Sequence, residues 1–177
     1  MNLPPTHEPI SACLIQVLGL SDLRSQPSEG DLGPATRCAL ALKDAGVSYD
    51  RILLISDFPP GQNRPGFHTA AQIADRLRSD VGERATVQMY QFDSFGNRFG
   101  PTWSAIDDTV SEVTLLAPQA HVHFQINGGQ ATATMAMILS GCSRLPENRR
   151  TFWSVHPESG LERVLIPRSL PICYYPS

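Results

Sequence analysis

The sequence contains little lysine and no large excess of charge. Lysine occurs once among the 177 residues, at Lys43, so arginine supplies the other basic side chains, and the formal net charge is −3. A slightly acidic chain offers no broad positive surface to the backbone of a long nucleic acid. Any mechanism that requires a lysine has one candidate.

Several familiar signatures are also absent. The four cysteines lie far apart and form no C-x-x-C pair, which argues against a zinc ribbon or a redox motif. No apolar run reaches membrane-spanning length and no signal region opens the chain, which predicts a cytoplasmic protein. The chain also lacks G-x-x-x-x-G-K-[ST] and G-x-G-x-x-G, so the common phosphate loop and the dinucleotide fingerprint are excluded.

Strand and helix patterns alternate four times and are followed by two further strands. Short apolar runs predict the strands, and apolar residues spaced three and four apart predict the helices. The predicted strands are 13–18, 51–55, 86–92, 120–126, 150–155 and 161–166, and the predicted helices are 34–45, 69–81, 103–117 and 132–145. This order predicts an α/β fold, a Rossmann-like, doubly wound, mostly parallel sheet of about six strands with a C-terminal antiparallel hairpin.

The connections that leave the strands indicate where a site would lie. The segments 19–33, 58–68 and 93–101 follow strands and are long and rich in Gly, Pro, Ser and Arg, whereas the connections back to the strands are short. In open parallel sheets, ligands bind beyond the carboxyl ends of the strands. We therefore expect the site at that edge of a single domain, 11–177, preceded by a flexible arm at 1–10.

The strand at 120–126 ends in the turn Asn127-Gly128-Gly129-Gln130, which leads into the helix at 132–145. The free N–H groups and the positive dipole end of a helix favour an anion, and glycine permits close approach. A tight turn without a ligand is the alternative. Asn127 is the leading candidate, because a polar residue leaving an apolar strand usually has a partner.

Two histidines, His121 and His123, lie on one face of that strand, as a pair of metal ligands would. They stand at the start of the strand, at the opposite end from the expected site, and no acidic cluster is recognisable near them. We therefore predict a packed or capped histidine pair, and no metal or cofactor.

Three segments, CLIQVLGLSD (13–22), RILLISD (51–57) and FQINGGQATATMAMIL (124–139), resemble in order and spacing the CRISPR-associated Rossmann fold (CARF) domain. They are particularly similar to the sensor domain of sigma-54-type regulators of RNA repair, over residues 11–167. The resemblance implies a homodimer that binds cyclic tetra- or hexa-adenylate, the messenger of type III CRISPR antiviral signalling. Output would then come from a separate effector subunit or from an effector domain of a longer protein. The alternatives are a standalone ring nuclease and an unrelated Rossmann-like mononucleotide-binding protein.

The resemblance, read with the chemistry of the side chains, also implies a set of site residues. Phe95, Arg98 and Phe99 can stack on adenine, or the two phenylalanines can simply pin their loop to the core. Metal-independent ring cleavage would fall to Thr132, Thr134 and Arg98. Family members often carry a lysine, and Thr or Ser at the positions of Gly128 and Gln130, so this chain is better suited to binding than to cleavage. The ligand-binding candidates are Ser21, Asp22, Ser56, Asp57, Phe95, Asn97, Arg98, Asn127, Gly128, Gly129, Gln130 and Thr132.

Overall fold

The computed structural model describes residues 12–24, 32–56, 66–82, 85–91 and 98–167. Within these ranges, strands and helices alternate along the chain, except that two helices follow the first strand and the last two strands are adjacent. Their bounds are β1 (Ala12–Val17), α1 (Leu20–Arg24), α2 (Pro34–Asp44), β2 (Arg51–Ser56), α3 (Ala70–Val81), β3 (Thr86–Gln91), α4 (Phe99–Leu116), β4 (His121–Gln125), α5 (Ala131–Arg144), β5 (Arg150–His156) and β6 (Gly160–Val164).

The described strands form one sheet in the order β3-β2-β1-β4-β5-β6. Every neighbouring pair is parallel except β5 and β6, which are antiparallel. The predicted fold class, including the terminal hairpin, is therefore confirmed. After β3 the chain crosses back to place β4 beside β1, so the strand order reverses between β1 and β4. Open α/β sheets bind ligands at the carboxyl ends of the strands next to such a reversal.

Apolar side chains cover both faces of the sheet. Ile15 and Phe124 belong to the core that packs against α4 and α5, whereas Leu14 and Leu54 belong to the core under α2 and α3. Strands that are buried on both faces read as continuous apolar runs, as β1 and β2 do. The helices therefore hold the strand ends in a fixed arrangement, and the turns between them build the site.

The predicted start of α3 is confirmed in detail. Thr69 and Gln72 form a capping box, in which the Gln72 N–H donates to Thr69 Oγ1 at 3.2 Å and the Thr69 N–H donates to Gln72 Oε1 at 2.8 Å. Ile73, Leu77 and Val81 form the buried stripe that the spacing predicts.

The structure differs from the prediction in one additional helix and in the start of another. The segment 19–33 was expected to be a loop, but it contains α1, because Leu23 is buried and the Asp22 carboxylate accepts the N–H of Gly19, the residue before the helix. α4 begins at Phe99 and not at 103, with Pro101 inside its first turn. Proline is tolerated there because the first N–H groups of a helix have no intrahelical acceptor.

The expected flexible arm at 1–10 lies outside the described residues, as do 25–31, 57–65 and 92–97, which fall mostly in the predicted loops. Of the helices that the structure describes, none has the length and apolar character needed to cross a membrane.

Candidate ligand-binding site at the sheet reversal

The turns that follow β1 and β4 touch at the point where the strand order reverses. A Cβ atom on Gly19 would lie 1.8 Å from the Gly128 carbonyl oxygen, and one on Gly128 would lie 2.7 Å from the Val17 carbonyl oxygen. A Cβ atom on Gly129 would lie 2.8 Å from Val17 Cγ1. Real Cβ contacts essentially never fall below 3.0 Å, so the two turns can pack this closely only with glycine at the three positions.

A cavity of about 260 Å³ lies between these two turns and the first turn of α4. It brings together Ser21 from α1, the four residues of the turn after β4, and Thr132 from α5. These are the predicted site residues that share one space. The lining consists of Val17, Leu18, Gly19, Leu20, Ser21, Thr102, Asn127, Gly128, Gly129, Gln130, Thr132 and Ala133.

The cavity wall offers neutral hydrogen-bond donors. None of the described residues that line it has a charged side chain. Gln130 and Arg98, the residues that precede α5 and α4, make no side-chain hydrogen bond to the first turn of their helix. Helix starts without a side-chain cap have free N–H groups, and these attract anions. The arrangement can therefore hold a small anion through N–H and hydroxyl groups.

Asn127 holds the turn to the neighbouring strand. Its Nδ2 donates to the Val155 carbonyl oxygen, and the Val155 N–H donates to Asn127 Oδ1 at 3.1 Å. The main-chain ladder between β4 and β5 ends one step earlier, where the Ile126 N–H donates to the Trp153 carbonyl at 2.9 Å. The partner that the sequence predicts for Asn127 is thus the backbone of β5, and the residue shapes the cavity as well as lining it.

Asp22 also has a positioning role. Its side chain is buried, with Oδ2 accepting from the Gly19 N–H at 2.9 Å and Oδ1 accepting from the Ala35 N–H at 2.7 Å. Because Ala35 is the second residue of α2, the carboxylate caps this helix in place of an N-cap side chain. Gly33, the residue before the helix, leaves room for the carboxylate, since a Cβ atom there would lie 2.7 Å from Asp22 Oδ1. Burial raises the pKa of Asp22 to about 6, although these hydrogen bonds and Arg37 oppose the rise. Asp22 fixes Gly19 at the cavity and does not line the cavity itself.

Other candidates lie away from the cavity or outside the described residues. Ser56 is buried at the end of β2, and Arg98 is exposed just before α4. The Thr134 hydroxyl donates to the Ile126 carbonyl oxygen and so ties α5 to the end of β4. The candidates outside the described residues are Asp57, Phe95 and Asn97.

Thr102 lines the cavity but was not among the predicted residues. It is 6% exposed and lies in the first turn of α4, which the prediction left in a loop. Two features of the sequence favour its place in the helix, although they do not single it out as a site residue. Proline is frequent in first turns, which favours a helix around Pro101, and Thr102 precedes Ile106 by four residues on the buried stripe of α4.

The two histidines form a packed pair on β4. His121 Nε2 lies 2.9 Å from Thr151 Oγ1, and the Trp153 Nε1–H donates to His123 Nδ1 at 3.0 Å. Burial, with a smaller contribution from His121, lowers the pKa of His123 to about 4. In the part of the chain that the structure describes, no group of three or more His, Cys, Asp or Glu side chains is placed to hold a metal ion.

Comparison with known proteins finds relatives at the level of the fold. No protein-family model matches the sequence, and no curated protein matches it. Among solved structures, the chain is similar to Enterococcus italicus Csm6 bound to cyclic hexa-2'-fluoro-hexa-dAMP, with a TM-score of 0.67 and 12% identity over 89% of this chain and 43% of that one. It is also similar to protein VC1899 from Vibrio cholerae, with a TM-score of 0.59 and 17% identity over 86% of this chain and 33% of that one. At these identities the likeness shows a shared fold, and the chain spans less than half the length of either protein.

Proposed function

We propose that this chain binds a cyclic oligoadenylate as the dimeric sensor domain of a type III CRISPR signalling protein. The observation that carries the proposal is the cavity at the sheet reversal, where the turn Asn127-Gly128-Gly129-Gln130 converges with Ser21 and Thr132. The fold is shared with Csm6, whose structure holds a cyclic hexanucleotide analogue. The cavity lies where this class of fold binds its ligands.

The chemistry of the wall suits a phosphodiester. A phosphodiester carries one negative charge, which N–H groups and hydroxyls at a helix start can satisfy without a lysine. The described lining residues offer such neutral groups and no charged side chain. A terminal phosphate carries more charge and favours arginine or lysine, so a mononucleotide is the less suitable ligand.

The homodimer follows from the symmetry of the ligand. A cyclic oligoadenylate with an even number of nucleotides has a two-fold axis, and an isologous dimer would present two copies of the cavity to it. Output would then require an effector, either as a separate subunit or as a further domain.

The alternative of a standalone ring nuclease receives less support from the geometry. Thr132 is the one catalytic candidate that lines the cavity, whereas the Thr134 hydroxyl is bonded to Ile126 and Arg98 lies outside the lining. The proposal is therefore binding without rapid cleavage.

Calorimetry and product analysis test the proposal together. We expect the purified protein to bind cyclic tetra- or hexa-adenylate tightly, to bind AMP and linear oligoadenylate at least tenfold more weakly, and to yield no linear product over many hours. Light scattering should give a mass twice that of the single chain, which is 19.4 kDa. Multiple turnover would favour the ring nuclease, and failure to bind either ring would refute both functions.

A charge variant locates the ligand. Thr132 is half-buried at the second position of α5, where an acidic residue stabilises a helix. Thr132→Glu should therefore keep or raise the melting temperature but abolish binding of an anionic ring, because its carboxylate enters the same cavity. Thr132→Gln, which adds similar volume without charge, should retain more affinity. Equal affinity of the Glu variant and the wild type would place the site elsewhere.

A further inference from the structure

We propose that Thr102 contacts the ligand directly, its hydroxyl donating a hydrogen bond to a phosphodiester oxygen of the molecule held in the cavity. The proposal rests on the proposed function and extends the binding surface to α4, an element outside the three segments that carry the family resemblance. It assigns a role to a residue that neither these segments nor the sequence pattern identified.

The first observation is an unpartnered polar group at the cavity. Thr102 is 6% exposed and lines the cavity, yet among the described residues its hydroxyl has no hydrogen-bond partner. In the described chain, the side-chain atoms that are fully buried and unpaired are Gln16 Oε1 and Gln125 Nε2. The Thr102 hydroxyl is unpaired but is not among them, so it keeps some accessible surface, and the space that Thr102 borders is the cavity. Buried polar groups are nearly always paired, and one that is unpaired at a cavity calls for a partner from outside the protein.

The other threonines of α4 show how a hydroxyl in this helix is otherwise satisfied. The Thr109 hydroxyl donates to the Ala105 carbonyl at 2.8 Å, and the Thr114 hydroxyl donates to the Ser111 carbonyl at 2.7 Å. The carbonyl four residues before Thr102 belongs to Arg98 and accepts the Thr102 N–H at 3.3 Å. Thr102 makes no such back-bond from its hydroxyl, which leaves that hydroxyl available.

The second observation is that α4 and α5 are fixed to each other. Asp107 Oδ1 accepts from Ser140 Oγ at 2.7 Å, and Asp107 Oδ2 accepts from Arg144 Nη2 at 2.6 Å. This contact holds Thr102 on α4 and Thr132 on α5 at the same cavity. A donor that is positioned in advance loses little freedom on binding.

Three threonine variants test the proposal by calorimetric titration with cyclic tetra- and hexa-adenylate. Thr102→Val keeps the shape and removes the hydroxyl, so we expect affinity for the ring that the wild type binds to fall about tenfold or more, whereas Thr102→Ser should stay within about threefold. Thr109→Val, in the same helix with an internally bonded hydroxyl, should leave affinity unchanged. Without ligand, Thr102→Val should melt at the wild-type temperature or above it, because the lost hydroxyl has no partner in the protein.

The outcomes separate this inference from the proposed function. Wild-type affinity in Thr102→Val, or an equal loss in Thr109→Val, would overturn the role of Thr102 while the proposed function stands. A lower melting temperature for ligand-free Thr102→Val would assign the hydroxyl to the fold and also overturn it. If the wild type binds neither ring, the proposed function fails first, and the contact of Thr102 with this ligand fails with it.

Discussion

Gly19 and Gly128 meet backbone to backbone, so closely that a Cβ atom on Gly19 would lie 1.8 Å from the carbonyl oxygen of Gly128. The contact joins the turn after β1 to the turn after β4, on the two strands where the order of the sheet reverses. The two turns can meet in this way because no side chain separates them. The site therefore depends on a packing contact between two residues that are far apart in sequence.

Replacing Gly19 tests this contact. Gly19→Ala places a methyl group against a main-chain carbonyl that cannot move without displacing the turn after β4, so we expect a loss of about 1–3 kcal/mol in the free energy of unfolding, together with weaker ligand binding. Gly100→Ala is the matched control. A Cβ atom there meets nothing within 4 Å beyond its chain neighbours, so the loss should be smaller than for Gly19→Ala and limited to crowding of the new methyl group by the ring of Pro101. Urea unfolding measures both, and equal stability of the two variants would contradict the close contact.

The amide of Asn127 gives a second prediction. Asn127→Asp replaces the donor to the Val155 carbonyl with a carboxylate oxygen, and the resulting repulsion should lower the free energy of unfolding by about 1–3 kcal/mol at pH 7. Ser21→Ala, an exposed change at the same cavity, should remain within about 0.5 kcal/mol of the wild type. If Asn127→Asp unfolds like the wild type but fails to bind, the amide acts on the ligand and not on the turn.

The ion pair between α4 and α5 should matter more than a surface pair. The Asp107 side chain is 13% exposed and bonds Ser140 and Arg144, whereas the Asp75–Arg78 pair on α3 is largely exposed. Asp107→Ala should lower the free energy of unfolding by about 2 kcal/mol, because it leaves the buried Ser140 hydroxyl without its acceptor. Asp75→Ala should change it by less than about 1 kcal/mol. Chemical unfolding of both variants checks this, and similar losses would show that burial adds nothing here.

The strands and most helix ends could be predicted because their signals are local. The Thr69–Gln72 capping box and the apolar run of β2 each depend on neighbours in sequence. The role of Asp22 could not be predicted in this way, since its carboxylate accepts the N–H of Ala35, a residue of the next helix that is not a neighbour in sequence. Thr102 is similar, because it joins the site only when α4 crosses to the strand reversal. Residues placed by tertiary contacts leave little periodic trace in the sequence.

Acid should destabilise the protein through His123. Its pKa falls to about 4 in the fold, mainly because the imidazole is buried, and Nδ1 can accept the Trp153 N–H only when it is unprotonated. The unfolded chain therefore binds more protons than the native state between about pH 6.5 and pH 4, and stability that is complete above pH 6.5 is lost as the pH falls through this window. His121, whose pKa burial also lowers, acts in the same direction, with Arg163 and Arg149 adding to the effect. Asp22 acts in the opposite direction below about pH 6, because its raised pKa lets the native state take up a proton there.

A comparison of the wild type with His123→Gln isolates the histidine from Asp22. The amide can still accept the Trp153 N–H but does not titrate, so its stability relative to the wild type should rise on acidification from pH 7 to pH 4, by up to about 3 kcal/mol. Chemical unfolding at each pH measures the difference, and NMR of the native imidazole reports the titration directly. Parallel stability curves, or an imidazole that titrates near pH 6.5 in the native state, would contradict the burial argument. The affinity for the ring at neutral pH should be unchanged, because His123 lies in the middle of β4 and does not line the cavity.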